Sequence, residues 1–303
     1  MHASFLLTTL LTTSALAANI VQVNDDGWAE INIRTLYDTL TAAGQSVVLS
    51  APAENQSGKG SLEGTPTNVT NGCEFDSCPP GSPAVGYNSS NPRLNYVNSY
   101  PVTAMKYGVQ TLSPKFFGGN PDIVVSGFNV GSNLGVTTVF SGTVGAASAA
   151  MDQLGIPGIA FSGATGSQTA WNVTPVPDYV TIYAQLATKL TTTLLDSGAP
   201  YLPNNTWLNV NFPAAGSGTS CTSPDDFKFV LSRIYTGTII SGDDVVTCNN
   251  GGRLPSESDV VGTAGCYASV SVGKANDKLD ADAEQQAVVL QKLGSLLTCL
   301  PSS

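Results

Sequence analysis

The 303-residue chain has one histidine, His2, and it sits inside an N-terminal apolar stretch that reads as removable. Without that stretch no histidine remains. This absence excludes Ser-His-Asp and Cys-His catalysis, histidine-ligated zinc and histidine phosphatase chemistry. Any reaction must use carboxylates, hydroxyls, amides, lysine, backbone N–H groups or a bound metal. Charge is scarce as well, at 11% of residues, and lopsided: 12 basic side chains against 22 acidic ones give a net −10. Such a field repels nucleic-acid polymers and anionic membranes, so neither is expected as a partner. No stretch has the ~18 apolar residues that a membrane span needs. Tightly spaced cysteine pairs with histidine partners are also missing, which argues against a zinc clasp.

What is present points outside the cytosol. MHASFLLTTLLTTSALA opens with a weak basic region, continues through an apolar stretch at 5–11 and ends Ala15-Leu16-Ala17, an A-x-A cleavage pattern. Residues 1–17 are expected to be a signal peptide, and the mature chain to be secreted or held in a secretory or vacuolar lumen. N-x-S/T triplets at Asn55, Asn68, Asn88, Asn172 and Asn204 are candidate glycan acceptors. Six cysteines (73, 78, 221, 248, 266, 299) suggest three disulfides, with Cys73–Cys78 expected as a local loop.

Apolar residues make up 42% of the chain, enough for one large domain over 18–303. Residues 19–24 read as a strand, 31–43 as a helix stopped by Gly44, and 45–52 as a second buried strand. Strand, helix, strand in about 30 residues is a βαβ unit, so an α/β fold with a mostly parallel sheet is expected. Residues 53–100 are rich in Gly, Pro, Asn and Ser, show little periodicity, and read as a long loop or insertion. The alternation then returns: helix 102–112, strand 121–127, helix 141–155, strand 156–163, helix 177–197, strand 207–213. This core, 19–213, is followed by an extension (214–303). The extension carries candidate strands at 227–235 and 266–273, some of them antiparallel, and a final helix over 277–297. It should pack on the core or on a partner subunit.

Ligands of open parallel sheets bind beyond the carboxyl ends of strands. Three such ends here carry unusual polar residues: NDDG (24–27), APAENQSGKGS (51–61) and SGFNVGSNLGVTTVFSGTVGAA (126–147). Adjacent carboxylates about 5 Å apart repel by roughly 3 kcal/mol at an effective dielectric near 20, so one keeps its proton or a cation sits between them. The plain alternative is an Asp that caps the next helix beside one that is solvated. Asn129 and Asn133 add neutral oxygens. Ser141, Gly142 and Thr143 open a small-residue helix whose N-terminus suits an anion, although capping and tight helix packing explain the same residues. A hard cation beside an anion pocket is the arrangement used for phosphate-ester hydrolysis.

NDDG, NQSG (55–58), PDIVVSGFNVGSNLG (121–135), SGTVGAA (141–147), GIPGIAFS (155–162) and LNVNFP (208–213) together resemble the SurE family of survival-protein phosphatases and nucleotidases. The resemblance covers most of 19–213. It implies a Rossmann-like three-layer core and a metal-dependent phosphomonoesterase of acid-phosphatase or 5′- or 3′-nucleotidase type, acting through metal-activated water. It implies Asp25, Asp26, Ser57 and Asn129 as ligands of Mg²⁺, Mn²⁺ or Ca²⁺, with Asp25 and Asp26 also catalytic. Asn133, Ser141, Gly142 and Thr143 are implied around the phosphate of a small ester substrate. The family's C-terminal part often swaps between subunits, so a homodimer through the extension is expected. Glu30, Ile31 and Asn32 stand where the family usually has an Ala-Pro-Gly turn, and the 62–98 insertion is unlike the short cytoplasmic members. These departures leave a secreted, non-catalytic binding protein of the same fold as the alternative. Asn55 adjoins the implied ligand Ser57 and is expected to carry no glycan; Lys59 reads as an exposed loop lysine.

Overall fold

A computed structural model describes residues 17–237 and 242–301; the expected signal peptide lies almost wholly outside the described residues. In chain order the elements are β1 (Asn19–Val23), α1 (Ile31–Ala42), β2 (Ser46–Pro52), β3 (Val85–Asn88), β4 (Asn91–Val97), α2 (Pro101–Tyr107), α3 (Ser113–Phe117), β5 (Ile123–Val130), α4 (Gly142–Leu154), β6 (Gly158–Gly163), α5 (Asp178–Asp196), β7 (Thr206–Phe212), β8 (Lys228–Ser232), α6 (Glu257–Gly262), β9 (Tyr267–Lys274) and α7 (Ala283–Leu293). One π-helical turn, Gly108–Leu112, joins α2 to α3.

Nine strands form one sheet in the order β3-β4-β2-β1-β5-β6-β7-β9-β8. The six central strands, β4 to β7, run parallel. α1 and α5 pack together with one large apolar cluster, while α2 and α4 sit with a second cluster built on Val21, Val23, Val48 and Val124. Alternate residues of β1 therefore enter different clusters, Ile20 the first and Val21 the second, as the pleat requires. This is the expected three-layer α/β architecture. α5 buries Ile182, Tyr183, Leu186, Leu190 and Leu194, and Tyr183 stacks on Phe212 at 5.3 Å between ring centroids. Truncating one such leucine to Ala costs about 2–5 kcal/mol.

The 53–100 insertion is not wholly a loop. Its β3–β4 hairpin extends the sheet, with β4 parallel to β2 (Leu49↔Leu94) and β3 antiparallel at the edge. The strands escape a periodicity reading because β4 buries a polar residue, Asn95, whose Nδ2 donates to the carbonyls of Leu49 and Pro92. The extension continues the same sheet: β9 runs antiparallel to β7, and β8 parallel to β9. Thr298 N donates to Phe229 O at 2.8 Å, so the chain's end lies along β8. Helix α6 was not expected; Ser256 and Asp259 form its capping box. The last helix is shorter than the 277–297 expectation. Asp282 caps it, while Asp280 just before accepts from Ile234 N at 2.6 Å.

Cys73–Cys78 pairs as the local loop expected from sequence. Cys221–Cys266 and Cys248–Cys299 complete the three disulfides. No described helix is long and apolar enough to cross a membrane.

Candidate active site

The strand order reverses at β1, whose neighbours are β2 and β5. The crevice beyond the carboxyl ends at such a point is where open sheets take ligands. Asp25 and Asp26 leave β1 there, 2% and 1% exposed. Asn24 shapes the turn: its Oδ1 accepts from Gly27 N at 3.2 Å and its Nδ2 donates to Gly27 O at 2.9 Å. Gly27 has φ +119°, a conformation that side chains rarely adopt.

Each aspartate is held by its own donors. Asp25 Oδ2 accepts from Gly142 N at 3.1 Å, and its Oδ1 accepts from the Thr143 hydroxyl. Asp25 thus sits on the N-terminus of α4, where the helix dipole favours a carboxylate. A Cβ at Gly142 would stand 2.7 Å from Asp25 Cβ, so only glycine permits this approach. Asp26 Oδ2 accepts from Val130 N at 2.8 Å, and Oδ1 from Gln168 Nε2 at 2.6 Å. Asn129 donates its amide nitrogen to the carbonyls of Val130 (3.0 Å) and Gly131 (2.7 Å). Its Oδ1 is left facing Thr143, which also serves Asp25. Asp25, Asp26 and Asn129 therefore gather at one rim, as the sequence implied.

Ser57 is exposed on the loop after β2. Its loop is tied to the site at both ends: Gln56 N donates to Asp25 O at 2.7 Å, and Gly60 N to Phe140 O at 2.9 Å. Gly145 lets that loop lie on α4, since a Cβ there would meet Gly60 O at 2.1 Å. Ser141 caps α4, its Oγ accepting from Val144 N at 3.1 Å, which leaves its hydroxyl proton free to donate. Gly142 and Thr143 contact Asp25 instead of standing open as bare anion donors. Asn133 is bound into a buried polar cluster. Its Nδ2 donates to Ser162 Oγ at 2.8 Å, its N to Asn211 Oδ1 at 2.8 Å, and its carbonyl accepts from Asn209 and Asn211. Glu257, fully buried, closes that cluster through Gly135 N (2.7 Å), Asn209 (2.9 Å) and Ser271 (3.1 Å).

Four polar neighbours of these residues were not anticipated: Gln168, Glu30, Glu74 and Glu257. Gln168 follows the carboxyl end of β6, so the rim rule contained a signal for it. The other three depend on long-range packing. Glu30 caps α1 through Asn32 N, and its Oε1 is buried without a partner. The replaced family turn thus brings another carboxyl towards Asp26.

Burial is the main force on these acids. It pushes Asp25 up, against the hydrogen bonds of Thr143 and Gly142. It pushes Asp26 up to about 8, helped by the Asp25 charge and opposed by Val130 and Gln168. Glu30 is raised by burial and by Asp26, and Glu74 reaches about 8 by burial first. Arg34 is the basic group in this neighbourhood. Its Nε donates to Trp28 O at 2.6 Å and its guanidinium lies 4.8 Å from the Trp28 ring centre. Buried carboxyls in this excess, with the neutral oxygen of Asn129 beside them, fit a hard divalent cation. Among the described residues no group of three or more His, Cys, Asp or Glu is placed to hold a metal, so a cation at this rim would need neutral oxygens for its remaining ligands.

Fold and site together define an α/β protein with an oxygen-lined, acid-rich centre at the switch of a parallel sheet. Residues 20–231 match the family described as "Survival protein SurE". An acid phosphatase of Yarrowia lipolytica is 36% identical over 288 residues, covering 84% of this chain and 78% of that protein. The chain belongs to the SurE family. The 5′-nucleotidase SurE of Synechocystis is 32% identical over 175 residues, 57% of each chain. The crystal structure of a SurE protein from Aquifex aeolicus superposes with a TM-score of 0.58 at 20% identity, covering 90% of this chain and 98% of that one, which supports the fold.

Proposed function

We propose that this protein is a divalent-metal-dependent phosphoric monoester hydrolase of the acid-phosphatase or nucleotidase kind. The observation that carries the reading is the buried Asp25–Asp26 pair at the switch point, each carboxylate fixed by two separate donors. Membership of the SurE family and the names of its acid-phosphatase and 5′-nucleotidase relatives support it. The non-catalytic alternative has no observation in its favour.

Asp25, Asp26 and Asn129 would hold the cation, with Ser57 brought in by the loop tethered to Asp25 O. When bound, the cation neutralises phosphoryl charge and makes water more acidic. The rest falls to the chain. Thr143 and Gly142 orient Asp25 and favour its ionised form against the effect of burial. Val130 N and Gln168 do the same for Asp26, which is placed to take a proton from the attacking water at a carboxylate oxygen. The Ser141 hydroxyl donates to a phosphoryl oxygen. Asn133 and its buried partners fix the loop between β5 and α4. Water adds its oxygen to phosphorus, the ester P–O bond breaks, and the proton taken up by Asp26 passes to the leaving alkoxide, giving the alcohol and inorganic phosphate.

Secretion is part of the proposal. The three disulfides favour an oxidising compartment, and the candidate glycan acceptors Asn68, Asn172 and Asn204 are exposed. A homodimer through residues 214–303 is a further expectation, checked by light scattering. The deciding experiment is hydrolysis of an aryl phosphate and of a nucleoside monophosphate, from acidic to neutral pH, with EDTA and then with Mg²⁺ or Mn²⁺ restored. Turnover lost to the chelator and regained with metal is the expected result. A folded protein inert with every metal and both esters would sink the proposal.

A further inference from the structure

The 53–100 insertion delivers a disulfide-closed knuckle against the aspartate turn. Cys73 and Cys78 are both buried, and Cys73 N donates to Cys78 O at 3.0 Å. Glu74 N is anchored to Ala53 O at 3.1 Å, at the end of β2. From this ring Glu74 Oε1 accepts from Ala29 N at 2.9 Å. Its carboxyl lies flat on Gly27: a Cβ built there would stand 2.0 Å from Oε1 and 2.2 Å from Cδ. Ser77, in the same ring, accepts from Trp28 Nε1 at 2.9 Å and donates to Glu74 O at 2.7 Å. The knuckle thus touches each of the three residues that follow Asp26.

Asn24 holds this turn, as do the bonds from Trp28 N to Pro52 O (2.9 Å), Arg34 Nε to Trp28 O (2.6 Å) and Trp171 N to Ala29 O (2.9 Å). The space beside Gly27, which has no side chain, is nevertheless filled by the Glu74 carboxyl, and the Ala29 N–H is taken by it. A backbone that is free to move would let Asp26 drift from Asp25. Groups that orient first ligands in this way typically change metal affinity by about 10–100-fold.

We propose that Glu74 is a positioning residue. Held by the Cys73–Cys78 ring, it clamps the Gly27–Ala29 backbone and so sets the Asp25–Asp26 geometry that binds the divalent cation. The inference rests on the proposed metal reading of that site. It also makes cation affinity dependent on the intact Cys73–Cys78 disulfide.

The test is Mn²⁺ binding, by electron paramagnetic resonance and calorimetry, on the oxidised full chain. Glu74→Gln, Glu74→Asp and Cys73→Ser/Cys78→Ser are compared with the wild type, alongside circular dichroism, kcat and KM. Gln retains an acceptor at the same reach and should keep Mn²⁺ affinity within about threefold. Asp is one methylene short and the double serine variant opens the ring; each should weaken Mn²⁺ by about tenfold or more while folded. At saturating Mn²⁺ the Asp variant should regain most of its kcat with KM little changed. Unaltered Mn²⁺ affinity in folded Glu74→Asp and in the double serine variant overturns the proposal. A Gln variant as weak as the Asp variant also overturns it, because charge and not position would then be at work. A wild type that binds no Mn²⁺ overturns the metal reading itself, and the clamp with it.

Discussion

Gln168 Nε2 lies 2.6 Å from Asp26 Oδ1, joining the loop after β6 to the turn after β1 across 142 residues of sequence. This bond favours the ionised carboxylate and fixes its rotamer. Gln168→Ala should lower kcat by about tenfold or more and raise the metal concentration needed for half-maximal activity. Thermal stability should change little, because the residue is exposed. Steady-state kinetics against a metal titration reads both; an unchanged metal requirement would remove Gln168 from the site.

Asp25 and Asp26 are two buried acids, both raised by burial, and the Asp25 charge raises the proton affinity of Asp26 further. Asp25→Asn should cut turnover by about a hundredfold or more. The same change relieves a like-charge contact, so the metal-free variant should melt no lower than the wild type at pH 8. Calorimetry in EDTA measures this. A lower melting temperature would mean that Asp25 is held mainly as a structural hydrogen-bond acceptor for Thr143.

The pH dependence of stability has a definite sign. Asp26, Glu74 and Glu257 are each raised to about 8 by burial, from 3.8, 4.5 and 4.5 respectively. A folded state that binds protons more tightly than the unfolded one is favoured while those protons are present. Their contribution is complete below about pH 4 and is lost as pH climbs towards 8. The metal-free protein should therefore melt several degrees lower at pH 8 than at pH 5. Added Mg²⁺ or Mn²⁺ should recover much of the loss at pH 8, since the cation replaces protons at the aspartates. A metal-free melting temperature that rises over this range would contradict the assignment.

Gly145 tests the Ser57 loop. An alanine there would place its Cβ 2.1 Å from Gly60 O, a backbone atom that moves only with its loop. Alanine usually stabilises a helix by roughly 1 kcal/mol over glycine. Here it should destabilise, and kcat/KM should fall by about tenfold or more through displacement of Ser57. A variant more stable and fully active would show that the loop is not seated on α4.

Sequence alone carried the repetitive parts of this protein. β1, α1, β2, β5, α4, β6, α5 and β7 follow from apolar periodicity and glycine stops, because burial on one face or both leaves a regular imprint. The Asp25–Asp26 pair and Asn129 were legible because strand ends of a parallel sheet share one rim. The nearest cysteines, 73 and 78, could be paired for a similar reason: a loop of five residues closes locally.

The tertiary structure decided what depends on contact between distant segments. Strand β4 hid its place because Asn95 is satisfied by the carbonyls of Leu49 and Pro92. Glu30, Glu74 and Glu257 look like ordinary acids in sequence, yet each is buried or half-buried by packing that no local pattern records. Gly142 and Thr143 were legible as a helix start, but only the fold shows that Asp25 itself occupies that start. Periodicity reports which face of an element is covered, whereas the partner that covers it is chosen by long-range packing.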